Sequence, residues 1–383
     1  MNRLIVIVLL LAGQAVAQVG VSGTLAATYK QDFGRDEGEG QAVVNNTLKG
    51  ASPFSQIRGR FFIDSEVSEN IGVFTTLLFD EQAAHFDLEG AYIVVYELGG
   101  LTSVNALVGK MATPFGTFAS RSFATANPLI GMPLIYHYFS AVHGGSVLRD
   151  NADQLSRRDA PNYSGRGQPT LYDACWNTGL QLFGSFGPVT YALAMTEGAV
   201  SNPAATDNDG LQYVGRLGLQ PTIALKFGVS GAYAPYLNKS VESSSAFPVG
   251  RSAEDYKQRL IGLDAEYSAG HFQLISEWVF NQWQVPNLAE GHLSHSGGYI
   301  EGKYELGPGV YYALRYGRMD YGDIDDGQGG QAAWDYGIQR IETGFGYYLD
   351  RRTRLKALVQ LNRWAGAPDE SDHLVSLQLA SDF

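Results

Sequence analysis

Charged side chains in this chain recur at every second position of segments whose intervening positions are apolar. Arg58 and Arg60 alternate with Ile57, Gly59 and Phe61; Arg340 and Glu342 flank Ile341; Arg354 and Lys356 flank Leu355. Lys110, Arg216, Lys226 and Arg315 are further cations in such settings, and Asp64, Glu89, Glu97, Asp264, Glu266, Glu277 and Glu301 are the matching carboxylates. Residues two apart share one face of an extended strand, so each set lies on a single wet face. The chemistry open to such a face is electrostatic: a ring of one sign at a narrow point sets which ions pass. The cluster Arg315, Arg340, Arg354 and Lys356, on neighbouring segments, is expected to oppose Asp150, Asp153, Asp159 and Asp173 of a long connection and to set a field across the gap. Arg58 and Arg60 join that wall only from a distance. The plainer reading is that these charges solvate a wet surface and pair with one another, and exposed pairs are weak.

Other chemistries find less support. His137 and His143 lie near Ser140 and Ser146, as a hydrolytic site would require, but neither serine sits in a nucleophile-elbow pattern. Asp323-Ile324-Asp325-Asp326-Gly327 opens like a calcium loop, yet its twelfth position is Trp334 and not the bidentate glutamate such a loop needs. Asp207-Asn208-Asp209-Gly210 reads as a turn. No metal or cofactor is implied. Cys175 is the sole cysteine, so no intrachain disulfide forms, and it reads as a small strand residue. A formal net charge of −12 argues against nucleic acid as a partner.

The elements that must position these charges are strands. Met1-Asn2-Arg3, an apolar run over 4–12 and Ala15-Val16-Ala17 form a secretory leader, with cleavage expected between Ala17 and Gln18. Residues 18–383 then form one domain. No later apolar run approaches the roughly 20 residues that a membrane helix needs. What remains is a secreted soluble domain or a closed barrel, because only helices and barrels cross a bilayer. Composition favours the barrel. Gly at 46 residues and aromatics at 12% suit turns, lumen walls and the membrane boundary, while charged residues are only 17%. A mean hydropathy of −0.12 fits a wall with one face in water.

About sixteen segments of roughly ten residues carry the alternation, from 19–29 to 373–383. Segment 85–98 places Phe86, Leu88, Gly90, Tyr92, Val94, Tyr96 and Leu98 on one face. Short links at Gly99-Gly100, Gly187-Pro188, Pro221-Thr222, Gly307-Pro308-Gly309 and Asp350-Arg351 alternate with long ones. Tight turns at one rim and long loops at the other are expected of a membrane barrel. Residues 112–174 break the pattern. The segment carries Pro114, Pro128 and Pro133 among many apolar and aromatic residues, including Phe115, Phe118, Ile130, Ile135, Tyr136 and Phe139. A disordered insertion is usually poor in such residues. The expected fold is therefore all-β: a closed antiparallel transmembrane barrel whose long third outer loop folds into the lumen and narrows it.

The pattern resembles the bacterial outer-membrane porins over the whole mature chain. The last strand, His373 to Phe383, ends on an aromatic residue, with Val375, Leu377, Leu379 and Phe383 facing out; it looks like the signal read by barrel-assembly machinery, although Ser381 departs from the apolar residue usual there. The long loop follows the fifth strand, as does the inward-folding loop of general porins. Val108-Gly109-Lys110 with Pro114-Phe115-Gly116 resembles the strand-to-loop junction of the phosphate-selective porin O and P family. The resemblance implies passive diffusion of small hydrophilic solutes or ions, a homotrimer, and lipopolysaccharide and the assembly machinery as partners. The alternatives it leaves are an anion- or phosphate-selective porin, a non-conducting structural or adhesive barrel, and a barrel hydrolase.

Overall fold

Alternating aromatic, β-branched and small or polar residues favour a pleated surface over a helix, and the computed structural model is built almost wholly of strands. It describes residues 19–33, 54–81, 85–160, 167–172, 176–365 and 373–383; the leader with Ala17 and Gln18, and Asp173 and Cys175, lie outside these. The barrel strands are β1 (Val19–Phe33), β2 (Ile57–Ser68), β3 (Ile71–Asp80), β4 (His85–Val95), β5 (Asn105–Ala112), β6 (Trp176–Phe186), β7 (Val189–Thr196) and β8 (Gln212–Thr222). They continue as β9 (Leu225–Pro235), β10 (Lys257–Ala269), β11 (Phe272–Gln284), β12 (His292–Gly307), β13 (Val310–Tyr321), β14 (Gly337–Tyr348), β15 (Thr353–Ala365) and β16 (His373–Asp382). Each pairs antiparallel with the next, and β1 pairs with β16, so the sixteen strands close into a barrel with no free edge. Phe383 completes the closure: its N–H donates to the Gly23 carbonyl at 3.0 Å and its carbonyl accepts from the Gly23 N–H at 3.1 Å.

The outer face is predominantly apolar, at alternate residues of most strands. Leu217, Ile261 and Phe345 are each more than half exposed, while their chain neighbours on the inner face are buried or paired. A band of this kind belongs in lipid. Leu217 lies at the centre of β8. Leu217→Arg is therefore expected to cost about 2–4 kcal/mol in barrel stability, as a cation at the bilayer midplane does. Urea unfolding in lipid vesicles measures this, and a neutral result would remove the lipid from that face.

Three expectations need correction. First, β4 does not keep one phase. Thr76 pairs with Gly90 and Leu77 with Leu88, so Glu89 is an extra residue. The bulge shifts the pleat by one: beyond it Ile93 faces out and Val94 is buried inside, the reverse of the simple alternation. Second, Glu97 is not in the strand. It follows β4 with φ 52°, leading into the turn at Gly99. Third, Pro221 and Thr222 belong to β8, which carries a register shift there, and the turn is Ile223-Ala224.

The inner face is not uniformly wet either. From β8 to β14 its apolar residues Val214, Leu260, Ile275, Val279, Met319 and Ile338 pack against the long loop through Phe115, Phe118, Met132, Leu134, Ile135 and Tyr138. The loop is thus an internal layer with a hydrophobic core of its own. It holds α1 (Leu134–His137), entirely buried, and α2 (Asn151–Arg158). Above the barrel the loop joins other outer connections in a second apolar cluster that includes Leu148, Tyr236, Phe247, Trp283, Leu288 and Trp334.

Candidate functional site

Among the described residues, buried charge converges in the lumen. The loop crosses it and is gripped by polar anchors on many strands. Gly116 N–H donates to the Ser230 hydroxyl of β9 at 3.1 Å. Its φ of 64° puts it in the left-handed region, and an added Cβ would overlap the Glu277 carboxylate and the Tyr136 hydroxyl. Glu277 of β11 is fully buried and accepts from Tyr136 at 2.6 Å and from Tyr299 of β12 at 3.2 Å. Burial, then the Glu277 carboxylate, pushes the Tyr136 phenol well above its ordinary value, so it stays a donor.

Next along the loop, Arg121 donates to Glu301 at 2.6 Å and to the Tyr299 hydroxyl at 2.9 Å. Glu301 is shared with Arg315 of β13, which also donates to Glu342 of β14 at 3.0 Å and to the Asn127 side-chain carbonyl at 3.0 Å. Arg315, Glu301 and Glu342 are all buried. A row of alternating charges, Arg121–Glu301–Arg315–Glu342, therefore ties loop to wall. On the far side Phe123 packs against Phe62 of β2 and under the Arg60 guanidinium, and Thr125 donates to Asp382 of β16 at 2.7 Å. Tyr311 of β13 donates to the Pro128 carbonyl at 3.0 Å and Arg340 of β14 to the Met132 carbonyl at 3.3 Å.

The remaining expected residues fall into distinct places. Arg58 and Arg60 do face the lumen. Arg60 forms a two-pronged pair with Glu89 at 2.7 and 2.8 Å, and the Arg58 Nε stands 3.9 Å from Asp80. Arg216 pairs with Asp264 on both prongs. Arg354 stacks on Tyr348 at 4.8 Å. Lys356 donates to loop carbonyls. Lys110 is not a lumen group: it stands opposite Thr178 and two residues from Val108, on the exposed outer face, and donates to the Leu88 carbonyl beside the β4 bulge.

Asp150 and Asp153 do not oppose the basic wall. Asp150 caps α2 by accepting from the Asp153 N–H at 2.9 Å, and the Asp153 carboxylate accepts from the Arg149 N–H at 3.1 Å. Asp159 accepts from Arg158 and from the Tyr336 hydroxyl, and these bonds hold its carboxyl below the usual range. The acids that meet the wall cations are instead Glu301, Glu342, Glu89 and Asp264, on the wall itself. Sequence reasoning passed over Arg121, Tyr136 and Asn127. The usable signal was polar tips inside the loop's apolar run. At the rival hydrolytic site the Ser140 hydroxyl donates to the Gln168 carbonyl at 2.9 Å, with no histidine bonded to it among the described residues.

The fold is shared with solved outer-membrane proteins. OmpT of Vibrio cholerae lacking loop L8, described as an outer membrane protein, matches with TM-score 0.58 at 10% identity over 96% of this chain and 100% of that one. Salmonella typhi OmpF, solved with daunomycin, matches at 0.57 with 12% identity over 96% and 98%. The outer membrane channel DcaP of Acinetobacter baumannii matches at 0.57 with 10% identity over 96% and 97%. No family model matches the chain, and no curated protein is similar to it in sequence. The likeness is one of architecture.

Proposed function

We propose that this protein is a porin-like channel of the bacterial outer membrane, through which small hydrophilic solutes diffuse passively. The observation that carries the reading is a closed barrel with an apolar outer face and a loop anchored across its lumen, from Ser230 of β9 on one side to Phe62 of β2 and Asp382 of β16 on the other. A structural barrel has no need to hold a loop at that depth by buried charge. Homotrimer formation, contact with lipopolysaccharide and use of Phe383 as the assembly signal belong to the same reading. Stepwise ohmic conductance in planar bilayers tests it; a correctly folded barrel that gives no steps would be a structural or adhesive one.

Anions are the favoured ions in this reading. The crevice between loop residues 122–132 and strands β1, β2, β15 and β16 is lined by Arg58, Arg60 and Lys356; Glu89 offsets Arg60 and Asp80 stands near Arg58, whereas no carboxylate lies against Lys356 among the described residues. Arg354 stands nearby without a carboxylate partner among the described residues. Net positive potential at a narrow point draws anions. A salt gradient should give a reversal potential of anion-selective sign, and Arg354→Gln should move it toward the cation side. A cation-selective wild type would refute the preference. A specific phosphate site gains nothing from Lys110, which faces away from the lumen.

A further inference from the structure

Lys356 differs from the carboxylate-paired cations of the lumen wall. Arg60, Arg216 and Arg315 each meet a carboxylate. The Lys356 ammonium donates instead to three backbone carbonyls: Ala124 at 2.6 Å, Leu129 at 3.0 Å and Asn127 at 3.2 Å. Its side chain is buried, and no carboxylate lies against it among the described residues. An ammonium has three N–H donors, so its whole hydrogen-bonding capacity is spent on one short stretch of the loop. Burying an ammonium without a counter-ion is costly. Here three carbonyl dipoles, turned toward it by the path of residues 124–129, offset that cost.

Those same residues roof the crevice lined below by Thr24, Ala26, Arg58, Arg60 and Gln378. The crevice has room for little more than water. Its height depends on where residues 122–131 lie, and their strongest tie to β15 is Lys356. We propose that Lys356 is the positioning residue that fixes this roof, and with it the size limit of the passage, by replacing the hydration shell of its ammonium with loop carbonyls. Removing the ammonium leaves three carbonyls without a donor, and the roof lifts toward water.

The inference rests on the channel reading for its functional consequence, and its test separates the two. Lys356→Met keeps the stem and loses the ammonium. In planar bilayers its single-channel conductance should rise roughly two-fold or more over wild type. In Lys356→Ala, added methylammonium should refill the carbonyl cage and reverse the gain, while tetramethylammonium, which has no N–H, should not. Ser122→Cys, made with Cys175→Ser, reports the roof directly: its reaction with a thiol reagent should quicken when Lys356→Met is added. A wild type without conductance sinks the channel reading, and the thiol assay still decides the latch. Wild-type conductance with an unchanged Lys356→Met and unchanged thiol reactivity overturns the latch alone. So does a conductance gain that methylammonium leaves in place.

Discussion

Arg315→Met is expected to destabilise the barrel by about 3–5 kcal/mol, the penalty for breaking a buried ion pair from one side. Arg315 is buried between Glu301 and Glu342, with Asn127 of the loop as a further acceptor. Glu301 keeps Arg121 when Arg315 is lost. Glu342 has no other cation partner among the described residues, so a dehydrated carboxylate is left under the loop. Adding Glu342→Gln to Arg315→Met should recover much of the loss, because an uncharged pair of similar volume avoids the desolvation cost. Denaturant unfolding in lipid vesicles, read by the gel mobility of the folded barrel, measures both variants. If the single and double variants were equally stable, the row of charges would be solvated and the loop would not be seated on it.

Gly116→Val should unseat the beginning of the loop and raise conductance several-fold. A β-branched residue at φ 64° costs roughly 1–3 kcal/mol in backbone strain alone. Its Cβ would also overlap the Glu277 carboxylate and the Tyr136 hydroxyl. Breaking the Tyr136–Glu277 bond leaves only Tyr299 to satisfy a buried carboxylate. The barrel itself carries no such strain, because Gly116 lies outside the strands. The variant should therefore fold, insert and conduct more. Wild-type conductance in an inserted Gly116→Val barrel would mean that the loop does not limit flow.

Much of the architecture was legible in the chain. Outward residues such as Leu217, Ile261 and Phe345 alternate strictly because lipid tolerates no polar group there. That rule is local and has a period of two, so the approximate number of strands could be read in one dimension. The break at residues 112–174 marked the loop for the same reason. Lumen positions obey no comparable local rule. Ile275 and Glu277 are both buried and both face inward. Which of them meets water depends on a loop more than a hundred residues away in the chain.

The partners were decided by tertiary structure alone. Asp150 and Asp153 matched the basic wall in sign, but a helix N-terminus offers unpaired N–H groups a few residues away, and that local demand takes them. Glu301 and Glu342 lie across the ladder from Arg315, a juxtaposition set by register on β12 and β14. One extra residue at Glu89 reversed the faces of β4 beyond it, which no simple alternation foretells. The sequence determined by itself that a closed wall forms and which residues meet lipid, because those follow from neighbours along the chain. Only the folded molecule decided what fills the lumen and which charges remain unbalanced there, because those follow from register and from a loop laid across the barrel.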